Sequence, residues 1–287
     1  MPELPEVETI VARLRGLVAD KQILEAQVWH PKSFQGDFTE LTGARITELQ
    51  RRGKMIRARL SPTASGRTDL NLLIHLKMTG QLIYVDQEIR AGGGHPTADW
   101  VHDLPSKHTR VAIKFANGAT LFFNDQRVFG WIRLLSDAEV NQAYAKLAPD
   151  IIDPSLTADS LLVHTQRRGI PIKQLVMDNS MVAGVGNIYA CDALNLAQLS
   201  PWRPARSLSP TDAQTLLNAM QTVIQRGIEL KGATIDNFSH VDGFAGGYQQ
   251  EARVYGREGQ ECYNCGSLIS KQKLAGRGTY FCATCQV

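Results

Sequence analysis

Four cysteines close the sequence in a spacing that leaves few folds open to them. Cys262-x2-Cys265, 16 intervening residues and Cys282-x2-Cys285 all fall within the last 26 residues. Each CxxC turn brings two sulfurs to one side of a point. Two such turns make the tetrahedron of thiolates that zinc prefers, at Zn–S distances of about 2.3 Å. Disulfides are the alternative, but they are rare in the cytosol. The N-terminus also carries Glu3, Glu6 and Glu8 where a secretion signal has its basic region. No stretch approaches the roughly 18–20 apolar residues that a membrane helix needs. The expectation is a cytoplasmic protein with no membrane partner and one structural Zn2+ held by Cys262, Cys265, Cys282 and Cys285. Cys191, in the apolar run IYACDAL, reads as a buried small residue.

The remainder is long enough for more than one core: 287 residues suit two ordinary domains, or one large domain with an appendage. Hydrophobic residues at 43% and charged residues at 21% exclude a disordered or collagen-like chain. Thirty-one Lys+Arg against 28 Asp+Glu leave a net charge of only +3, so the distribution of charge matters more than its total. RRGKMIRARL at 51–60 holds five cations and no acid, Arg167, Arg168 and Lys173 form a second group, and Lys271, Lys273 and Arg277 a third. These segments could line one phosphate track, or each could be a separately solvated face. Charge alone leaves both open.

The hydrophobic period changes along the chain. Val7, Ile10, Val11, Leu14 and Val18 recur at helical spacing, and Pro5 suits a first turn. From about residue 22 to 135 the period falls towards two, in ARITELQ, KMIRARL, LNLLIHLKM, QLIYV, RVAIKF and ATLFFND, with Asn117-Gly118 as a hairpin signal. Residues 61–69 and 86–106 read as loops. Helical periodicity follows Pro149 and Pro154, in TADSLLVHTQ, IKQLVMD, NIYACDALNLAQ and a long segment capped at Ser209. Residues 231–250 are glycine-rich and read as a mobile loop. The predicted fold class is α+β. It comprises a β-sandwich with an N-terminal helix over 1–140, a helical domain over 150–245 and a zinc finger over 246–287.

Two features could carry chemistry. In a strand over 54–60, Lys54 would share parity with Ile56, Ala58 and Leu60, so a cation would enter an apolar face. It must then find a partner, shift its pKa or snorkel out. DNSMVAGVGN at 178–187 places two glycines just ahead of a predicted helix. Backbone amides there can approach a phosphate at the helix N-terminus. A plain helix–helix turn, or a two-helix DNA-binding element, fits the same residues.

MPELPEVET at the start, NDQRVFG at 124–130, VAGVGNIYACDAL at 182–194, VYGREGQ at 254–260 and the GRGTYFCATCQ ending together resemble the formamidopyrimidine-DNA glycosylases. These are bacterial base-excision repair enzymes, and the resemblance runs over essentially the whole chain in the family's order. It implies an N-terminal β-sandwich, a helix-two-turn-helix domain and a zinc finger, with damaged double-stranded DNA bound in the cleft between the lobes by a monomer. It also implies a catalytic set. Removal of Met1 would expose the secondary amine of Pro2 as nucleophile, with Glu3 as general acid/base. Lys54 would contact phosphate beside the lesion, and Arg277 would grip the flanking phosphates and assist elimination. Asn187 matches a phosphate-binding asparagine, and His108 and Lys173 match further DNA contacts. Met78, Arg127 and Phe129 match the three side chains that fill the space left by a flipped-out nucleotide.

The implied activity is that of a bifunctional glycosylase and lyase. It excises 8-oxoguanine and formamidopyrimidines through a proline Schiff base and β,δ-elimination. An endonuclease-eight-like enzyme for oxidised pyrimidines and a catalytically idle zinc-finger DNA-binding protein are the competing readings. MPELPEVE and the loop NFSHVDGFAGGYQQE at 237–251 favour the purine branch, since that loop resembles the segment that caps a flipped purine. The chain departs from the family pattern in DQRVFG for DPRRFG, HLKMTG for HLGMSG, KHTR for KHDH at 107–110, a long 86–106 segment, and Gly169 where a base is common. None of these touches Pro2, Glu3, Lys54, Asn187, Arg277 or the four cysteines.

Overall fold

The structure is a computed structural model that describes residues 1–63, 65–94, 103–166, 168–233, 239–240 and 246–287. It divides into two compact units, 1–145 with 233–246, and 146–232 with 247–287.

In the first unit, helix α1 (Leu4–Val18) starts with Pro5 in its first turn, and Glu6 accepts the Glu3 amide at 2.9 Å. Its predicted apolar stripe is buried throughout. The strands are β1 (Ile23–Val28), β2 (Phe34–Gln35), β3 (Ile46–Arg52), β4 (Met55–Leu60), β5 (Leu70–His75), β6 (Gly80–Val85), β7 (Arg90–Gly94), β8 (Thr109–Phe115), β9 (Thr120–Asp125), β10 (Trp131–Ser136) and β11 (Ser239–His240). One sheet runs β1-β8-β9-β6-β7-β11 and the other β2-β10-β5-β4-β3, antiparallel except where β2 meets β10. Alternating positions such as Ile56, Leu72 and Ile74 of one sheet, and Leu82, Val111, Ile113 and Phe123 of the other, share one buried cluster with α1. That shared core makes the unit a β-sandwich. Helix α1 packs on β3 of one sheet and β7 of the other, which sets the chain's first residues at the sandwich margin.

Three local readings change. The segment 86–106, expected as a loop, supplies β7. Its register with β6 runs from Val85↔Arg90 to Gln81↔Gly94. A Cβ at Gly92 would lie 2.0 Å from the Leu82 carbonyl oxygen, so glycine is required where strand propensity argues against it. The rest of that segment, 95–102, lies outside the described residues. Lys54 is not a strand residue. Gly53 (φ 58) and Lys54 form the two-residue turn between Arg52 and Met55. A short helix, α2 (Asp137–Tyr144), which the sequence reading did not include, follows β10 with a Ser136/Glu139 capping box.

The second unit contains α3 (Ala158–Gln166), α4 (Ile172–Val176), α5 (Asn187–Leu196), α6 (Pro210–Glu229) and α7 (Tyr248–Glu251). It also holds a hairpin of β12 (Ser270–Leu274) and β13 (Arg277–Phe281). Ser209 caps α6 in a capping box with Asp212. The four-cysteine finger lies in the same compact unit as the helices. Gln286 accepts from Cys282 N at 2.8 Å and from Asn195 Nδ2 at 3.2 Å, and donates to the Leu199 carbonyl at 2.9 Å. Asp192 of α5, wholly buried, accepts from the amides of Arg253, Val254 and Tyr255 at 2.9–3.0 Å and from the Tyr248 hydroxyl at 2.9 Å. Burial pushes this carboxyl up from the usual carboxylate range while those four donors pull it back. Of the loop 237–251, residues 237–238 and 241–245 lie outside the described residues, and Ser239–His240 pair with β7. Among the described residues, no helix is long and apolar enough to cross a membrane.

Candidate functional site

The chain's first residues and Lys54 are fixed by two carboxylates of α1. Pro2 and Glu3 are both buried, Glu3 at 3% exposure. Glu6 Oε2 accepts the Glu3 amide, while Glu6 Oε1 accepts the Ala233 amide at 2.8 Å. One carboxylate therefore fixes both the helix start and the returning segment. Two residues on, Glu8 pairs with Arg51 at 2.6 Å, and Arg51 donates to the Gly53 carbonyl at 3.0 Å. That bridge ties the turn bearing Lys54 to the helix bearing Glu3. Lys54 is 6% exposed despite its charge.

His75, at the end of β5, belongs to the same neighbourhood and went unnoticed in the sequence. Its Nδ1 accepts the Lys77 amide at 3.0 Å, and its ring lies 5.7 Å from that of Trp131. Burial, with the charges of Lys77, Lys54 and Arg133, depresses its pKa from 6.5 to about 3. The imidazole is thus neutral at physiological pH, and Nε2 carries the proton. A histidine ending an apolar strand, LNLLIH, was the available signal. The extra charge of Lys77, a departure from the family pattern, acts directly on this ring.

Met78 sits half-buried on the turn between β5 and β6, and Arg127 and Phe129 stand exposed on the loop after β9. The two segments touch, since the Arg127 amide donates to Thr79 Oγ1 at 3.0 Å. The Arg127 guanidinium lies 4.7 Å from the Phe129 ring centre, and that ring is 52% exposed. An exposed aromatic stacked on a cation is a suitable surface for a nucleic-acid base. His108, half-buried on the turn before β8, joins the same region: its carbonyl accepts the Asp125 amide at 2.9 Å.

In the second unit, Asn187 opens α5 directly after Gly186, so its amide belongs to the first turn of a ten-residue helix, whose N–H groups have no partner within the helix itself. Lys173, expected at the DNA, is 2% exposed. Its ammonium donates to Asn187 Oδ1 at 2.6 Å and Thr279 Oγ1 at 2.7 Å, and lies 3.4 Å from the Gly278 carbonyl. Asn187 Nδ2 reaches the same Gly278 carbonyl at 3.0 Å. The start of α5 is therefore stitched to β13, whose first residue is the exposed Arg277. A pocket lined by Lys173, Gln174, Met177, Asp178, Leu274, Ala275 and Arg277 opens beside this junction.

The four cysteine sulfurs lie within 4.8 Å of one another, with pairs at 3.6 and 3.9 Å. The edge of a tetrahedron of thiolates about 2.3 Å from zinc is about 3.8 Å, so this set fits the ion. Crowding also separates the thiols electrostatically. Hydrogen bonds from Ser267 and Cys285 draw Cys265 down to about 6, while its neighbour Cys265, followed by burial, pushes Cys285 up. A divalent cation resolves that conflict by stabilising all four thiolates together.

A sandwich bearing one buried N-terminal helix, a helical unit and a four-cysteine finger are the three parts that the family models of zinc-finger DNA-repair glycosylases describe. Residues 1–132 match the formamidopyrimidine-DNA glycosylase N-terminal domain, 147–239 its H2TH domain, and 259–287 the zinc finger found in FPG and IleRS. The chain belongs to the formamidopyrimidine-DNA glycosylase family. It is 36% identical to the formamidopyrimidine-DNA glycosylase of Pelotomaculum thermopropionicum, over 100% of this chain and 99% of that one. A crystal structure of Lactococcus lactis Fpg with DNA containing an abasic site superposes with a TM-score of 0.85 at 29% identity, covering 100% of both chains. Another, of the wild-type Lactococcus lactis protein with DNA containing N7-benzyl-Fapy-dG, gives 0.86 at 30% identity over 99% of each.

Proposed function

We propose that this glycosylase excises oxidised purines, 8-oxoguanine and formamidopyrimidines, from duplex DNA and then cleaves the strand through a Schiff base on Pro2. The observation that carries this reading is the buried Pro2–Glu3 start of α1, fastened by Glu6 and bridged through Glu8 and Arg51 to Lys54. With Met1 removed, the secondary α-amine of Pro2 is free and, in its unprotonated form, can attack the anomeric carbon. The base leaves with the bonding electrons of the glycosidic bond and takes up a proton. Glu3 protonates the ring oxygen as the sugar opens, and a secondary amine then gives an obligatorily cationic iminium. That iminium accepts the electrons of two successive eliminations. The first releases the 3′ phosphate and the second the 5′ phosphate, leaving a one-nucleotide gap.

The remaining residues take up the DNA. Lys54 and Arg277 neutralise phosphates flanking the lesion, and the amides at Asn187 hold another. Met78, Arg127 and Phe129 occupy the vacated stack, and His108 contacts the strand nearby. Lys173 contributes from beneath by holding Asn187 against β13. Cys262, Cys265, Cys282 and Cys285 would hold one zinc ion through four thiolates, which would fasten the finger and take no part in the chemistry.

The decisive experiment is borohydride trapping with an 8-oxoguanine duplex. The adduct should map to Pro2, and Glu3→Gln should suppress base excision while sparing part of the cleavage of a preformed abasic site. An adduct on a lysine side chain, or an intact abasic strand as final product, would overturn the mechanism. Faster single-turnover cleavage of thymine glycol than of 8-oxoguanine would overturn the substrate assignment.

A further inference from the structure

We infer that Asp125 is a positioning residue that locks the turn bearing Met78 and the loop bearing Arg127 and Phe129 into one wedge, and thereby governs nucleotide flipping. This rests on the reading of those three side chains given above.

Asp125 ends β9 with 0% exposure, and a buried carboxylate must be met by donors. Its donors come from both segments. Oδ1 takes the Thr79 hydroxyl and the Arg127 amide at 3.2 Å, and Oδ2 takes the Gly130 amide at 2.6 Å. The Thr79 hydroxyl accepts the Arg127 amide in turn. Three groups on two separate loops thus close on a single carboxylate. The fit is tight on both sides. A Cβ at Gly130 would lie 2.9 Å from Phe123 Cζ and 3.1 Å from Asp125 Oδ2, and one at Gly80 would lie 2.4 Å from the Leu76 carbonyl oxygen.

The loop needs such a clamp because its conformation is not intrinsic. Val128 stands at φ 56, in the left-handed region that a β-branched residue adopts only where its surroundings impose it. The valine occupies the position where the family pattern has arginine, so in this chain the clamp works against a strained residue between Arg127 and Phe129. The clamp also extends to the third segment. The Asp125 amide donates to the His108 carbonyl, and Arg110 Nε donates to the Asp125 carbonyl at 2.8 Å. Thr109 bonds Asn124 at 2.8 Å, and Asn124 bonds Gln81 at 3.1 Å. The unusual Thr109 and Arg110 of KHTR therefore have internal partners.

Two readouts separate positioning from chemistry: 2-aminopurine fluorescence beside the lesion in stopped flow, and cleavage of a single-stranded abasic oligonucleotide, which needs Pro2 but no flipping. Asp125→Asn and Thr79→Val should slow both the fluorescence transient and duplex excision on the order of ten- to a hundred-fold, with single-strand cleavage changed by less than about three-fold. Thr79→Ser keeps the hydroxyl and should behave as the unmodified protein. The Asp125→Asn/Thr79→Val pair should cost no more than the worse single change, because both remove one clamp. If Asp125→Asn does not fold, Thr79→Val carries the same comparison. Equal slowing of both substrates, or unchanged excision by folded variants, overturns the inference alone. An unmodified protein that cleaves neither substrate takes the proposed function down with it.

Discussion

His75 shows how one side chain can be set by its surroundings more than by its type. An unfolded chain protonates this histidine near pH 6.5, whereas the native state, with a pKa of about 3, does not. Between those values the unfolded state binds more protons, so stability from this site falls as pH drops through the window and is unaffected above it. His75→Gln should flatten the acid limb of the urea midpoint between those two pH values, and an unchanged limb would assign the acid sensitivity to other groups. Lys54 shows the limit of parity reasoning. Its burial was legible as a cation entering an apolar context, but the reason is a tight turn held by Arg51, and no alternation rule contains that partner. Lys173 is the sharper case. Its motif matches a DNA contact, while its 2% exposure makes it an internal brace.

Among the elements, the β12–β13 hairpin is the one whose tip matters most, because Arg277 follows it directly. Ala275 (φ 49) and Gly276 (φ 78) make its two-residue turn, and both need the left-handed region. Ala275→Asn should favour that turn and stabilise the protein by about 1 kcal/mol, readable as a rise in the thermal midpoint. A fall would mean that the alanine methyl makes a contact the turn geometry does not reveal. On the proposed reading, the finger beneath depends on a zinc ion held by its four cysteines. Zinc removal by a chelator, or Cys262→Ser, should unfold this element locally and abolish DNA binding. Stripped protein that cleaves DNA at full rate would refute a structural role for the metal. Helices α3, α5 and α6 and most strands could be read from periodicity and caps, since each buries one regular face. β7 could not: its glycines are demanded by close approach to β6, a constraint that exists only once the sheet has formed.

Across the whole molecule, the cations proposed for phosphate contact come from both compact units, so their electrostatic contributions should add. DNA affinity should fall steeply with salt, and Lys54→Ala and Arg277→Ala should each reduce the log–log slope by about 0.9, with the double change near the sum. A slope untouched by Lys54→Ala would remove that lysine from the DNA track. The sequence by itself determined the family, the α+β class, the four cysteines of the finger and the apolar faces of most elements. These follow from local spacing and motif order, which the chain carries without folding. Tertiary structure alone decided that the finger shares a unit with the helices, that a buried carboxylate clamps the Met78 and Arg127 segments, and that His75 stays neutral. Each of those depends on groups distant in sequence meeting where water is excluded, and there a single unpaired donor or charge is costly enough to select its partner.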